Sequence, residues 1–295
     1  MTIKPITIVT VTYNSSKNIS SFLNSIIESD NLLLINKIIL IENNSPEKNE
    51  TISIVNIFKA KYPNLITFIS SKVNNGFAKS CNIGAKLSKS KYILFLNPDT
   101  KIMNDSLRIL YEHSRICHAD IIGGVSKKDV NNIHLTVVRH PSLTIGLFEL
   151  TNLGKIFGIK RGHSDFYYQD LQNLYRNGAD VEVDAVGGAY MMVKTSSFMS
   201  LKGFDEKFFM YLEDVDLGFR ANVSGMKVYF CPHSTIDHIG GASSTNKYHI
   251  RHQAWYDSRR YYFTKHHNYL VNMLIQPIFI FEEYILKIRN YFNYL

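Results

Sequence analysis

Four short apolar runs, each followed by a segment with helical spacing, open the chain. Ile6–Thr12, Lys37–Ile41, Ile66–Ile69 and Tyr92–Leu96 are, Lys37 apart, apolar or β-branched at successive positions, as strands buried on both faces require. Ser20–Ser29, Thr51–Lys61, Ala78–Leu87 and Ser106–His118 carry apolar residues three and four apart, the spacing of a helix with one buried stripe. Strand and helix in alternation fold as βα units around a mostly parallel sheet, so the class is α/β. Ligands of such sheets bind beyond the carboxyl ends of the strands. The polar clusters Thr12-Tyr13-Asn14, Glu42-Asn43 and Asn97-Pro98-Asp99 stand at those ends.

The later pattern is looser. Residues 130–180 show no clear period and read as a long loop or a small insertion. Val181–Val193 holds two strand-like runs around Gly187-Gly188, Gly203-Phe204-Asp205 reads as a turn, and Glu213–Ser224 as a helix. Val228–Cys231 is a short strand expected to stop before Pro232, and Gly240–Thr245 is a loop of small residues. With 45% hydrophobic and 20% charged residues in 295, the chain has the composition of a folded protein and not of a disordered one. Its net charge of +8 favours acidic partners, among them phosphorylated small molecules, nucleic acid and an anionic membrane face. Residues 246–295 carry seven Lys or Arg against three Asp or Glu, a net +4, and 13 of the 37 aromatic residues. That divides the chain into a body, 1–245, and a basic, aromatic helical extension, 246–295. Cys81, Cys117 and Cys231 form no C-x-x-C pair, which argues against a disulfide framework or a zinc ribbon and suits a reducing cytosol. No export signal is expected at the N-terminus. No uninterrupted membrane span is expected either, because Gln276, Pro277, Glu282 and Glu283 break the apolar run Leu270–Ile288.

Four groups can carry chemistry. Asn97-Pro98-Asp99 offers oxygen ligands on a rigid turn, suited to Mg²⁺ or Mn²⁺ beside a diphosphate; an Asx turn capping the next helix explains the same residues. Glu213-Asp214-Val215-Asp216 opens a helix, with Arg220 further along. Asp214 is either a general base or a cap that gains from the helix dipole. His238, before Gly240-Gly241, is either a ligand or a structural imidazole. Asn74-Asn75-Gly76-Phe77 can aim backbone N–H groups at a phosphate or form a plain turn.

Taken in order, the motifs resemble a known family. They are Thr10-Val11-Thr12-Tyr13-Asn14, Ile41-Glu42-Asn43-Asn44-Ser45, Asn74-Asn75-Gly76-Phe77-Ala78 with Asn82, and Phe95-Leu96-Asn97-Pro98-Asp99. They continue with Gly187-Gly188-Ala189-Tyr190-Met191-Met192, Gly203-Phe204-Asp205-Glu206, Tyr211-Leu212-Glu213-Asp214-Val215-Asp216-Leu217 with Arg220, and His238-Ile239-Gly240-Gly241. The series resembles the family 2 glycosyltransferases, above all the rhamnosyltransferase-like branch of bacterial surface polysaccharide synthesis, over residues 6–245. The resemblance implies a GT-A fold, a nucleoside-diphosphate sugar donor and inversion at the anomeric carbon. It places Thr12 and Glu42 at the nucleoside, Asp99 and His238 on Mg²⁺ or Mn²⁺, and Asp214, beside Glu213, in the role of base. Tyr13, Asn14, Asn75, Gly76, Asn82, Asn97, Gly188 and Arg220 complete the implied nucleotide-sugar set. Two departures stand out: Glu42 occupies a position where Asp is more usual, and Asn97 replaces the first carboxylate of the DxD-type motif.

Three rival readings are weaker. A nucleic-acid binder would carry its basic patch on the strand-rich body, and here the excess is in the tail. A sugar nucleotidyltransferase would carry a Gly-rich basic loop where Tyr13-Asn14-Ser15-Ser16 stands. A scaffold-like homologue would have no reason to retain Asp99, Asp214 and His238 together. The expected partners are a dTDP- or UDP-sugar and a glycan or lipid-linked acceptor, with no nucleic acid. The tail is expected to dock at the inner membrane face of a cytoplasmic enzyme, or to pack on the body or against a second copy in a homodimer.

Overall fold

The computed structural model describes residues 4–103, 105–126, 137–156, 178–238 and 248–292. The strands are β1 (Ile6–Thr12), β2 (Ile35–Glu42), β3 (Ile66–Ser70), β4 (Tyr92–Leu96), β5 (Thr100–Ile102), β6 (Ile121–Ser126), β7 (Val137–Val138), β8 (Val181–Glu182), β9 (Ala185–Val186), β10 (Tyr190–Lys194) and β11 (Val228–His238). The helices are α1 (Ser16–Ile27), α2 (Lys48–Lys61), α3 (Gly76–Ala85), α4 (Ser106–Ile116), α5 (Leu143–Phe148), α6 (Leu153–Ile156), α7 (Thr195–Ser200), α8 (Glu213–Val223), α9 (Tyr248–His266) and α10 (Tyr269–Phe292).

The main sheet runs β3-β2-β1-β4-β10-β6-β11-β5, with β8 on β11. The first four of these strands are parallel. β10 is antiparallel to both β4 and β6. Successive residues of the inner strands are buried on opposite faces. Ile8, Leu40 and Leu94 pack with α1 and α4 through Phe22, Leu23 and Leu110. Val9, Ile41 and Phe95 pack on the other side with Cys81 of α3, Phe198 of α7 and Leu217 of α8. That two-sided burial is why these strands read as unbroken apolar runs. The class expected from the sequence, α/β with a mixed, mostly parallel sheet, is the class found.

Some limits shift. α1 starts at Ser16 and α2 at Lys48, because the first turns, Ser16-Lys17-Asn18 and Lys48-Asn49-Glu50, carry no apolar signal. β11 does not end before Pro232 but runs on to His238. Its pairing with β6 slips between Phe230 and Thr235, and a bulge is where a strand tolerates a proline. Gly240–Thr245 lies outside the described residues, as do 130–136 and 157–177 of the loosely patterned stretch. What is described of that stretch includes β7, α5 and α6.

The tail shares a core with the body. Tyr262 and Phe263 of α9 and Ile275 and Phe279 of α10 pack with Ile145, Phe208, Leu212 and Val215. Arg259, 1% exposed, binds Glu282 and donates to the Leu150 and Phe279 carbonyls, which clamps the two tail helices together. Pro277 does not end α10, so Tyr269–Ile288 is, contrary to the sequence reading, one helix long and apolar enough to cross a membrane.

Asp216 of α8 fixes the tail to the sheet. Its fully buried carboxylate meets Lys265 Nζ at 2.6 Å, His266 Nε2 at 2.7 Å and Arg220 Nε at 2.8 Å. Burial pushes its pKa up, but the bonds from His266, Arg220 and Lys265 outweigh that and hold it below the ordinary range. Replacing Asp216 with Ala leaves Lys265, Arg220 and His266 without their shared acceptor, and breaking a buried ion pair costs about 3–5 kcal/mol. Urea denaturation of Asp216→Ala at neutral pH should show a loss of that size. A carboxylate with a depressed folded pKa stabilises above its unfolded value, about 3.9, and loses that contribution as pH falls through the folded value. The gap between wild type and variant should therefore close only in acid.

Candidate active site

A cavity of about 390 Å³ opens at the carboxyl ends of β1 and β4. Val11 and Tyr13, Asn43, Asn74 to Phe77, and Asn97 to Asp99 enter it from the parallel half of the sheet, Asn75 excepted. Gly187 to Ala189, Phe209 to Tyr211, Glu213 and Asp214 close the other side, and Ile250 and Arg251 of α9 complete it. The volume is that of an ordinary small-ligand site.

Asn43 organises one wall. Its side chain donates to Asn74 Oδ1 at 2.8 Å and to the Gly76 carbonyl at 3.0 Å, and it accepts from the Asn75 N–H at 2.9 Å and from Ser80 Oγ at 3.0 Å. Gly76 has φ of 75°, and a Cβ there would lie 2.2 Å from the Phe209 carbonyl oxygen. Only glycine allows the 74–77 turn to meet the Phe209–Tyr211 loop, where the Phe77 N–H donates to Phe209 O at 2.7 Å.

The opposite wall is a strained turn. Tyr211 and Leu212 both take positive φ, 76° and 63°, a conformation that costs a residue with a side chain of order 1–3 kcal/mol. The turn starts α8 with Glu213 and Asp214 facing the cavity. Asp214 Oδ2 accepts from the Gly188 N–H at 2.8 Å and Oδ1 from the Val215 N–H at 2.9 Å. Burial raises the Asp214 pKa, and these backbone donors offset part of the rise. Glu213 is 5% exposed, and its Oε2 has no hydrogen-bond partner among the described residues. Burial, then the Asp214 charge, drive its pKa well above the carboxylate range. Both adjacent carboxyls are therefore raised, Glu213 by burial and by the Asp214 charge, Asp214 by burial.

Of the residues implied by resemblance, Tyr13, Gly76, Asn97, Asp99, Gly188, Glu213 and Asp214 line the cavity. Others belong to its support and not to its lining. Glu42 is fully buried and spends both oxygens on its own turn, with Asn44 N–H, Ser45 N–H and Ser45 Oγ as donors. Thr12 is buried and donates to the Ile41 carbonyl. Asn14 and Asn75 stand beside the lining residues, Asn14 with φ of 50°. Asn82 holds Phe204 through its N–H and carbonyl and also reaches Glu206. Arg220 is committed to Asp216, Leu201 O and Gly203 O. His238 pairs in backbone register with Thr100, next to Asp99, and its side chain lies outside the described residues. Asn43, Tyr211 and Arg251 line the cavity without having been expected there. Asn43 lay within a quoted motif, but nothing local to Arg251 marks it. Its Nε donates to Tyr211 OH at 3.0 Å.

The donors that meet in the cavity are oxygens, the carboxylates of Asp99, Glu213 and Asp214 with Asn97 alongside. Oxygen donors of this kind, with an orphan buried oxygen on Glu213, are the chemistry a hard divalent cation takes.

Comparison with known proteins agrees with this architecture. Over 203 residues, 63% of this chain, the sequence is 26% identical to the rhamnosyltransferase WbbL of Escherichia coli K12; the match spans 64% of that protein. Over 268 residues, 87% of this chain, it is 24% identical to the N-acetylglucosaminyl-diphospho-decaprenol L-rhamnosyltransferase of Mycobacterium tuberculosis, of which it covers 82%. Among solved structures, the mannosyltransferase PcManGT of Pyrobaculum calidifontis, in complex with GDP-Man and Mn²⁺, superposes with a TM-score of 0.60 at 15% identity, over 90% of this chain and 64% of that one. The fold is of the GT-A type. The profile described as "Glycosyltransferase like family 2" matches residues 4–258, and the chain belongs to that family of glycosyltransferases.

Proposed function

We propose that the chain moves a sugar from a dTDP- or UDP-linked donor to a glycan or lipid-linked acceptor in bacterial surface polysaccharide synthesis, with inversion at the anomeric carbon. Rhamnose is the first candidate, after the two rhamnosyltransferase relatives, and another hexose or galactofuranose the alternative. The observation that carries this reading is the meeting of Asp99 and the Glu213–Asp214 pair in one cavity at the carboxyl edge of the sheet.

The chemistry follows from the walls. Asp214 is oriented by two backbone N–H groups and has lone pairs left to accept a proton. It is the base that takes the acceptor hydroxyl's proton as the oxygen attacks the sugar from the face opposite the diphosphate. Glu213 stands beside it, buried and raised in pKa by burial and by the Asp214 charge, and is the alternative base. Asp99, with Asn97 and His238, would hold Mg²⁺ or Mn²⁺, which supplies Lewis-acid stabilisation of the departing diphosphate. Arg251 adds a fixed positive charge to the same cavity. The body, 1–245, thus carries the donor site, and the tail, 246–295, contributes one wall of it.

The tail also presents an apolar face. Leu270, Met273, Leu274, Phe281 and Ile285 are 46–66% exposed, while Ile275 and Phe279 of the same helix are buried against the body. A helix fixed along one face and apolar along the other suits the surface of a bilayer. This supports peripheral docking at the inner membrane face, where a lipid-linked acceptor lies.

Asp214→Asn should retain donor binding and lose about 10²–10⁴ in transfer rate. Because burial raises the base's pKa, wild-type kcat/KM should fall on acidification at a pH above the ordinary carboxylate value of about 3.9. An unchanged rate in the variant would move the role to Glu213.

Asp99→Ala should weaken Mn²⁺-dependent binding of UDP or dTDP in calorimetry. Nucleotide binding that is indifferent to both EDTA and this substitution would remove the metal from the reading.

Truncating the tail would strip the shared core and Arg251, so membrane docking is tested on the intact chain. Leu274→Glu with Phe281→Glu should abolish flotation with anionic liposomes and leave solution transfer intact. Undiminished flotation, or a dimer in sedimentation that the same pair dissolves, would reject docking.

A further inference from the structure

A second cluster of metal-ligating side chains lies apart from the cavity. His113 Nδ1 of α4 is 2.6 Å from Asp180 Oδ2, just ahead of β8. Cys117, at the C-cap of α4 and four residues beyond His113, points its thiol at the same oxygen from 3.1 Å. Cys231 of β11 is fully buried, and the ligand atoms of His113, Asp180 and Cys231 lie within 4.8 Å of one another. None of the four residues lines the cavity described above.

We propose that His113, Cys117, Asp180 and Cys231 form a structural zinc site. Thiolate, imidazole and carboxylate together select Zn²⁺ over Mg²⁺ or Mn²⁺, which prefer oxygen alone. Residues four apart on one helix turn, with two ligands from other segments, are a common source of tetrahedral sites. Bonds of about 2.0–2.3 Å place tetrahedral ligands roughly 3.3–3.8 Å apart. The two contacts to Asp180, 2.6 Å from His113 and 3.1 Å from Cys117, need to open by less than about 1 Å, and the other separations among His113, Asp180 and Cys231, within 4.8 Å, to close by up to about 1.5 Å.

An independent observation points to a cation. Asp180 is 10% exposed in its side chain, and its Oδ1 is buried without a hydrogen-bond partner among the described residues. A hydrogen-bonded cluster alone leaves that oxygen unpaired, and a cation would satisfy it. Burial, with Asp180 close by, pushes both thiols up, Cys117 to about 11. The metal-free cluster therefore holds its thiol protons, and each coordinating thiol must release one when Zn²⁺ enters. The ion would tie α4, the segment leading into β8 and β11 together outside the cavity lining, with a role in stability and not in transfer.

The test uses the full chain, stripped with chelator and reloaded with Zn²⁺ or Co²⁺. Elemental analysis should find a single Zn²⁺ per chain, and Co²⁺ should give the thiolate charge-transfer band of a tetrahedral site. Zn²⁺ should raise the melting temperature, with proton release in calorimetry. Loss of a ligand should weaken Zn²⁺ by at least the 10–100-fold typical of an outer-shell partner, in Cys231→Ser and in His113→Gln. His113 is partly exposed, so that variant keeps the test open if Cys231→Ser does not fold. Asp99→Ala should bind Zn²⁺ unchanged. Zinc affinity that survives both ligand substitutions, zinc lost in Asp99→Ala, or a Co²⁺ spectrum without a thiolate band would each overturn the assignment.

Discussion

One buried carboxylate ties the parts of the cavity together. Asp216 lies one turn beyond the residues that face the ligand space, and its oxygens bind Arg220 from its own helix and Lys265 and His266 from α9. Arg220 reaches on to the carbonyls of Leu201 and Gly203, and Gly203 packs on Asn82 of α3. Lys265 also binds Asp205 at 2.7 Å. The start of α8, the 201–206 turn, α3 and the tail are thus positioned by one connected set of charges. In a low-dielectric interior such a set tolerates little displacement, because each separated ion would stand unpaired.

This arrangement gives the tail two duties. Its inner face supplies Tyr262, Phe263, Ile275 and Phe279 to a core shared with the body, and Arg251 to the cavity. Its outer face leaves Leu270, Leu274 and Phe281 to solvent. The abundance of aromatic residues there has two causes, packing for one part and an exposed apolar surface for the other. Composition alone cannot apportion them.

The Glu213–Asp214 pair shows how neighbouring residues of one chemistry acquire different surroundings. Both are desolvated. Asp214 has both oxygens bonded, to the Gly188 and Val215 N–H groups, while Glu213 has backbone donors too but keeps Oε2 without a partner among the described residues. The difference arises from where β10 and its preceding turn bring the Gly188 N–H, some 26 residues away in sequence. The strained backbone at Tyr211 and Leu212 aims both carboxyls, and the surrounding contacts hold that strain.

The α/β class, the four parallel strands and the family were legible in the residues alone, because two-sided burial and helical spacing are local patterns and the motifs sit at strand ends. The sequence also marked Asp99, Glu213, Asp214 and Gly188, which line the cavity. Tertiary structure decided the rest. Glu42, Asn82 and Arg220 stand in the same motifs, yet their polar atoms are consumed by a turn, a loop and an ion pair. Arg251 arrives from a helix that no local signal links to the sheet. Cys117 and Cys231, which show no metal spacing in sequence, meet at Asp180 because α4 packs along β11. Periodicity reports which face of an element is buried; which polar groups share a site depends on how distant elements dock, and that is set by contacts between residues far apart in the chain.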